Sequence, residues 1–215
     1  MKSLLPTILV FTFFFFSCPK DCPPDEKIGD LNLKTTTLSY SPYSGTEKLV
    51  FKNSSGDSII LQSDAGKQIS QDRLCVREIC EEPKIKGEIT CEYFASESHS
   101  LLFRDPDQTI LLEILLASDL NKENSENFYS FLRVGFSNEN SISSAGLITE
   151  QHFNGNLDLD ALVINNILIE KDEITLNTKS FSNVYAYEES TLKYYYTKEE
   201  GLVGFITTDN TYHLD

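Results

Sequence analysis

The feature that most constrains this chain is a period of two. From Lys34 onward apolar side chains recur mostly at alternate positions, in short runs separated by polar turn clusters. Alternate residues of a strand point to opposite faces, so such a run can bury one row of side chains only as a pleated strand. Lys48–Lys52 and Asp57–Leu61 flank Asn53-Ser54-Ser55-Gly56, where Gly supplies the positive φ a tight turn needs, and this spacing predicts a hairpin. Ser100–Phe103 and Thr109–Leu116 flank Arg104-Asp-Pro-Asp-Gln108 and predict a second, with Pro106 presetting a turn dihedral. Thr191–Tyr196, Leu202–Thr207 and Thr211–Leu214 read as a three-stranded meander. One helix is expected at Asp119–Leu132, capped by Asp119 with Phe128, Phe131 and Leu132 as its stripe. No βαβ alternation occurs, so the expected fold is a single all-β domain of mainly antiparallel sheet, curled into an open barrel or folded as a sandwich. The ten Tyr and 14 Phe, with one Met and no Trp, suit pleated surfaces.

Residues 1–17 lie outside this pattern. Lys2 is followed by an uncharged, mostly apolar run from Leu4 to Phe16, then Ser17 and Cys18. That is the anatomy of an export signal, and the run is too short for the roughly 20 residues a membrane span requires. The most apolar later stretch, Thr109–Ala117, carries Glu113 at its centre, so no transmembrane helix is expected downstream. Pro19–Gly29 holds three Pro and three acidic residues and little to pack. The expected organisation is a signal over 1–17, a flexible tether over 18–30 and a β-rich globular domain over 31–215.

Ser17-Cys18 at the end of the apolar run resembles the lipobox of bacterial lipoproteins, and the looseness of the fit at Phe15 and Phe16 resembles the lipoproteins of the Bacteroidetes. The resemblance implies cleavage before Cys18 and a lipid on its thiol; an ordinary secretory signal cut nearby is the alternative. Lys20-Asp21 is similar to the Lys-acidic surface-export signal of that group, with Cys22 where a second acidic residue is usual. Glu173–Tyr185, Leu192–Tyr196 and Glu200–Phe205 resemble the closing meander of flavobacterial-type lipoproteins. This implies an all-β, lipid-anchored outer-membrane protein, facing the cell surface rather than the periplasm, and carries no catalytic residues with it.

With Cys18 lipidated, four thiols remain in an oxidising compartment, where an even number predicts disulfides. A hairpin turning at Glu81–Lys84 would centre on Pro83 and set Cys75 opposite Cys91, leaving Cys80 to take Cys22. Paired zinc-ligand spacing and C-x-x-C are both missing, which disfavours a thiolate metal site and a redox motif.

Motifs for chemistry are sparse. His99, His152 and His213 fall in no metal-binding spacing, and no G-x-S-x-G, phosphate loop or dinucleotide fingerprint occurs. No catalytic residue, cofactor or metal is nominated, and the expected role is non-catalytic binding or envelope structure. Asn156, Asp158 and Asp160 alternate as calcium ligands might in a strand, but the loop that holds such an ion is missing and a half-exposed strand has the same pattern. Tyr194-Tyr195-Tyr196, with Tyr185, Tyr187, Phe205 and Tyr212 nearby in sequence, would make an aromatic platform for glycan rings or a partner's apolar groups, or would pack with Tyr194 and Tyr196 inward and Tyr195 on the other face. Ile110, Leu112, Ile114 and Leu116 share one strand face, which supports an alternative in which the curled sheet is a periplasmic carrier or chaperone for a lipid or other hydrophobic ligand. A net charge of −15 with no basic block argues against nucleic acid and against electrostatic docking on anionic lipid.

Overall fold

A computed structural model describes residues 23–63, 65–81, 89–121, 127–139, 141–152 and 166–215. The signal, Cys18, Lys20, Asp21, Cys22 and the Asn156–Asp160 run lie outside the described residues. In chain order the elements are β1 (Glu26–Leu31), α1 (Thr35–Leu38), β2 (Lys48–Asn53), β3 (Ser58–Ser63), β4 (Gln68–Glu81), β5 (Ile89–Arg104), β6 (Leu111–Leu120), β7 (Phe128–Asn138), β8 (Ser141–Gln151), β9 (Ile169–Leu176), β10 (Lys179–Glu188), β11 (Leu192–Thr197), β12 (Gly201–Thr207) and β13 (Thr211–Leu214).

The strands join one sheet in the order β8-β7-β6-β5-β3-β2-β13-β12-β11-β10-β9, and every pair along this path is antiparallel. The sheet curls into an open half-barrel, as the alternation predicts. Strand β5 is the hub. Its second half pairs with β3 and β6, while its first half pairs with β4 and, in parallel, with β1. Neighbours of such different length on one strand leave β4, β1 and the start of β5 as an arm beside the curled body.

Both predicted hairpins form. Asn53 Oδ1 accepts the backbone N–H groups of Ser55 (3.0 Å) and Asp57 (2.9 Å), and Gly56 takes φ 90°. Asp105 closes the second turn through Ile110 N–H at 2.6 Å and the Thr109 hydroxyl at 2.9 Å. The C-terminal meander pairs as read.

Three expectations are corrected. The helix expected over Asp119–Leu132 is contradicted at both described ends: Asp119 and Leu120 close β6 and Phe128–Leu132 open β7, with Leu116 facing Leu132 and Asp119 facing Tyr129. Pairing with β6 lets Leu132 and Phe131 each bury on opposite faces, which a helical stripe of three residues cannot match. The segment read as tether contributes Glu26–Asp30 to β1, although its side chains are mostly exposed. Backbone pairing to β5 orders it, and composition reports apolar burial only. Finally, Cys75 faces Tyr93 and Cys91 faces Glu78, because bulges shift the β4–β5 register. The two cysteines are diagonal neighbours, with Cα atoms 5.8 Å apart and sulfurs at disulfide distance. Cys80 lies in β4, but Cys22 and the turn over 82–88 fall outside the described residues, as does the proposed Cys22–Cys80 link.

The core fills the concave face. Leu112, Ile114 and Leu116 from β6, and Val134 and Phe136 from β7, pack with Phe51, Tyr194, Tyr196 and Phe205. Phe136 and Phe205 rings sit 4.8 Å apart and join the two halves of the sheet. A second cluster, including Val184, Tyr195 and Val203, covers the opposite face of the C-terminal strands. Tyr194, Tyr195 and Tyr196 are thus all buried, on the two faces that the packing alternative expects, and they offer no platform. Their hydroxyls are used internally: Tyr194 donates to Val134 O (3.0 Å), Tyr196 to Tyr40 O (2.6 Å) and Tyr195 to Glu188 (2.8 Å). Gly201, at φ 78°, lies where a Cβ would come within 2.0 Å of the Tyr43 hydroxyl, which accepts Leu202 N–H at 2.6 Å.

Candidate functional site

An open concavity lies at the β6, β7 and β8 strands, lined by outward side chains and also by the core-side Phe136, Ser143 and Tyr187. Leu112, Ile114, Val134 and Phe136 point inward, so Leu111, Glu113, Arg133, Gly135 and Ser137 must point outward. Together with Ile142 and Ser144 of β8, and with Asn166, Tyr187 and Glu189, they line an open groove of about 600 Å³.

Gly135 shapes its floor. It pairs directly with Glu113, and a Cβ built there would lie 3.3 Å from the Glu113 carboxylate. Its φ is not positive, so the turn chemistry that usually calls for Gly does not apply. Gly inside a strand weakens it unless something must approach the backbone closely. Here the missing side chain makes room for the Glu113 side chain, which lies across Gly135 and leaves that residue buried.

The walls are polar and forked. Arg133 Nη2 lies 3.6 Å from Glu113 Oε2, a diagonal cross-strand pair with both side chains partly exposed, so its contribution to stability is small. The Asn166 amide donates to Ser144 O at 3.0 Å, tying the chain that re-enters after residue 165 to the edge of β8. Gly146 N–H donates to Asn166 O, and Leu168 N–H to Gly146 O, both at 2.8 Å. Ile142 stands on the rim, 89% exposed. Tyr187, stacked on Tyr194 at 4.9 Å, has its phenol pushed up to about 12, first by burial and then by the Glu189 carboxylate beside it. It remains a neutral donor at any physiological pH.

The histidines do structural work. His99 meets Glu97 at 2.7 Å, whose other oxygen accepts Leu33 N–H at 2.9 Å, and His213 meets the Asn177 amide at 3.0 Å. His152 lies 3.1 Å from Ser130, which also touches Ser118 at 2.8 Å. Burial lowers the His152 pKa against the pull of Glu150. The pair has the composition of a nucleophile and base, but Ser130 is 2% exposed and no acyl carbon could reach it.

No protein-family model, curated protein or solved structure matches the chain. The site therefore rests on its own geometry.

Of the groove's residues the sequence points to Tyr187, as part of an aromatic platform, and to Leu111, as apolar strand surface, but to none of the charged or amide side chains. Glu113 entered only as the charge that interrupts an apolar run, and Arg133 and Gly135 sit in Phe131-Leu-Arg-Val-Gly-Phe136. A charge and a Gly inside an apolar alternating run were the available signal. Asn166 and Glu189 reach the site from other parts of the chain, which no local pattern announces.

Proposed function

We propose that the protein is a lipid-anchored envelope lipoprotein of the Bacteroidetes type, held in the outer membrane through Cys18, and that it acts as a non-catalytic binding module with the groove at β6–β8 as its ligand seat. The observation that carries the binding role is the open groove of about 600 Å³ in which Glu113, Arg133, Asn166 and Glu189 come together, with Gly135 leaving room for the Glu113 side chain across the strand. The anchor is supported by the lipobox-like Ser17-Cys18. Acyl chains at about 0.8 kcal/mol per buried methylene give a stable attachment without a spanning segment.

The start of the domain suits a short leash. Asp25 Oδ1 accepts Cys91 N–H at 2.9 Å, and its carboxylate pairs with Arg73. It lies seven positions from Cys18, so a lipid there would hold the Asp25 end of the arm within about 25 Å of the bilayer. The carrier alternative needs a hollow concave face. Leu112, Ile114 and Leu116 are instead packed among aromatic rings, which favours an external binding surface.

Fractionation of cells expressing the full chain tests the reading. The wild type should partition with membranes and Cys18→Ala should not. Protease added to intact cells should degrade the wild type if the Lys20-Asp21 export signal operates. Survival until lysis would move the domain to the periplasmic face, and membrane partition unchanged by Cys18→Ala would remove the anchor.

A further inference from the structure

If the groove is the ligand seat proposed above, its chemistry selects the ligand. We propose that it takes a segment of neutral oligosaccharide, with its hydroxyls divided among Glu113, Arg133 and Asn166.

A sugar hydroxyl both donates and accepts, so a polyol is best matched by a surface that mixes the two roles. Glu113 and Glu189 only accept, Arg133 only donates, and the Asn166 amide and Ser144 hydroxyl do both. The carboxylate, guanidinium and amide are planar forks, able to engage two neighbouring hydroxyls at once. Leu111 and Ile142 add aliphatic surface against which the C–H face of a sugar ring can lie, and Gly135 lets the Glu113 carboxylate lie low across the strand beside it. At about 600 Å³ the groove falls within the usual size of small-ligand sites, and because it is open it suits part of a chain over an enclosed monomer.

Other ligand chemistries fit less well. An anion would meet two carboxylates and a guanidinium already facing one of them, on a chain of net charge −15. A wholly apolar ligand would cover Glu113 and Arg133 without replacing their water. An extended peptide adding to β8 would find the middle of that edge taken, since Gly146 already exchanges both its backbone groups with the Asn166–Leu168 segment. A basic peptide that approached through its side chains alone would be drawn by Glu113 and Glu189, and it is the competitor to exclude.

The test uses the full-length protein in detergent, with binding followed by saturation-transfer NMR and calorimetry. The probes are neutral di- and trisaccharides built from glucose, mannose, galactose and N-acetylglucosamine, with tetralysine and a sulfated trisaccharide alongside. At least one neutral saccharide should bind, and Gly135→Val, which fills the floor, and Arg133→Gln should each weaken it by about tenfold or more. Should Gly135→Val fail to fold, Glu113→Gln takes its place, because it keeps the shape of an exposed side chain. Saccharide binding of equal strength in all variants would place the sugar elsewhere and overturn the assignment. Tetralysine binding that responds to the variants, with no saccharide bound, would overturn the sugar but keep the groove as a ligand seat. If no probe responds to any groove variant, the sugar and the seat fall together, while the Cys18 anchor is still judged by fractionation.

Discussion

The C-terminal strands and the β1–β4–β5 arm belong to one sheet and are held by different forces. In β11 and β12 nearly every side chain is buried on one face or the other, and Leu176 of β9 lies so close over Gly204 that a Cβ there would meet it at 2.2 Å. Along β4 most described side chains are exposed, and Ile69 stands 64% open. What holds the arm is a backbone ladder, the Cys75–Cys91 bridge, Asp25, and the ion pairs Arg73–Asp25 and Arg77–Glu92. Strand pairing is therefore common to both places, and says nothing of whether packing or cross-links will hold them. A region stabilised by burial should fail globally, whereas one stabilised by stitches should fail locally.

Four measurements would break or sharpen this contrast. Phe205 packs edge-on to Phe51 (5.3 Å), near Phe136 and stacked on Tyr212 (4.9 Å). Phe205→Ala should cost about 3–5 kcal/mol and lower the single urea transition of the whole domain. A loss confined to β11–β13 would contradict the idea of one shared core. Removing the bridge with Cys75→Ala and Cys91→Ala opens a loop of sequence separation 16, for which chain entropy predicts about 3 kcal/mol. Amide exchange should speed up in β4 and the first half of β5 and stay slow in β11 and β12; uniform acceleration would mean the arm folds as one unit with the body. Tyr196→Phe removes only the hydroxyl that donates to Tyr40 O, so about 1 kcal/mol of global stability should go, read by the shift of the urea midpoint.

The smallest effect is expected at Asp25. Its carboxyl is held below the ordinary 3.8, first by the backbone N–H of Cys91 and then by Arg73, against some desolvation. A depressed carboxyl contributes fully above the unfolded value of 3.8 and loses that contribution as pH falls through the lower folded value. Exchange protection at Cys91 should accordingly fall on acidification below that point in the wild type. Asp25→Asn should start lower and show no such acid step; an identical pH profile in the two proteins would remove Asp25 from the account.

Much of the architecture could be read in advance where a local rule decides it. Asn53-Ser-Ser-Gly56 and Arg104–Gln108 made their turns because an Asx side chain closes its own loop. Tyr194 and Tyr196 shared a face with Tyr195 opposite because a strand leaves no other option. The helix at Asp119–Leu132 failed for the converse reason: an ambiguous stretch takes the conformation of its partner, and β6 supplied a ladder. Residues Glu26–Asp30 were missed because backbone hydrogen bonding ordered them with little apolar burial. The groove was hidden more deeply, since Glu113, Arg133 and Gly135 are each ordinary outward positions until the strands are laid side by side.

By itself the sequence determined the β class, the hairpin turns, the C-terminal meander, and the choice of Cys75 with Cys91. These depend on neighbours within a few residues or across one turn, and short-range sterics and pairing are enough to specify them. Only the tertiary structure decided that β5 would be the hub, that β1 would join it in parallel, and that Asn166 and Glu189 would meet Glu113 and Arg133 around Gly135. A period of two tells which side chains share a face. Which strands become neighbours, and what then covers or leaves open each face, follows from how the whole sheet curls to bury its aromatic core.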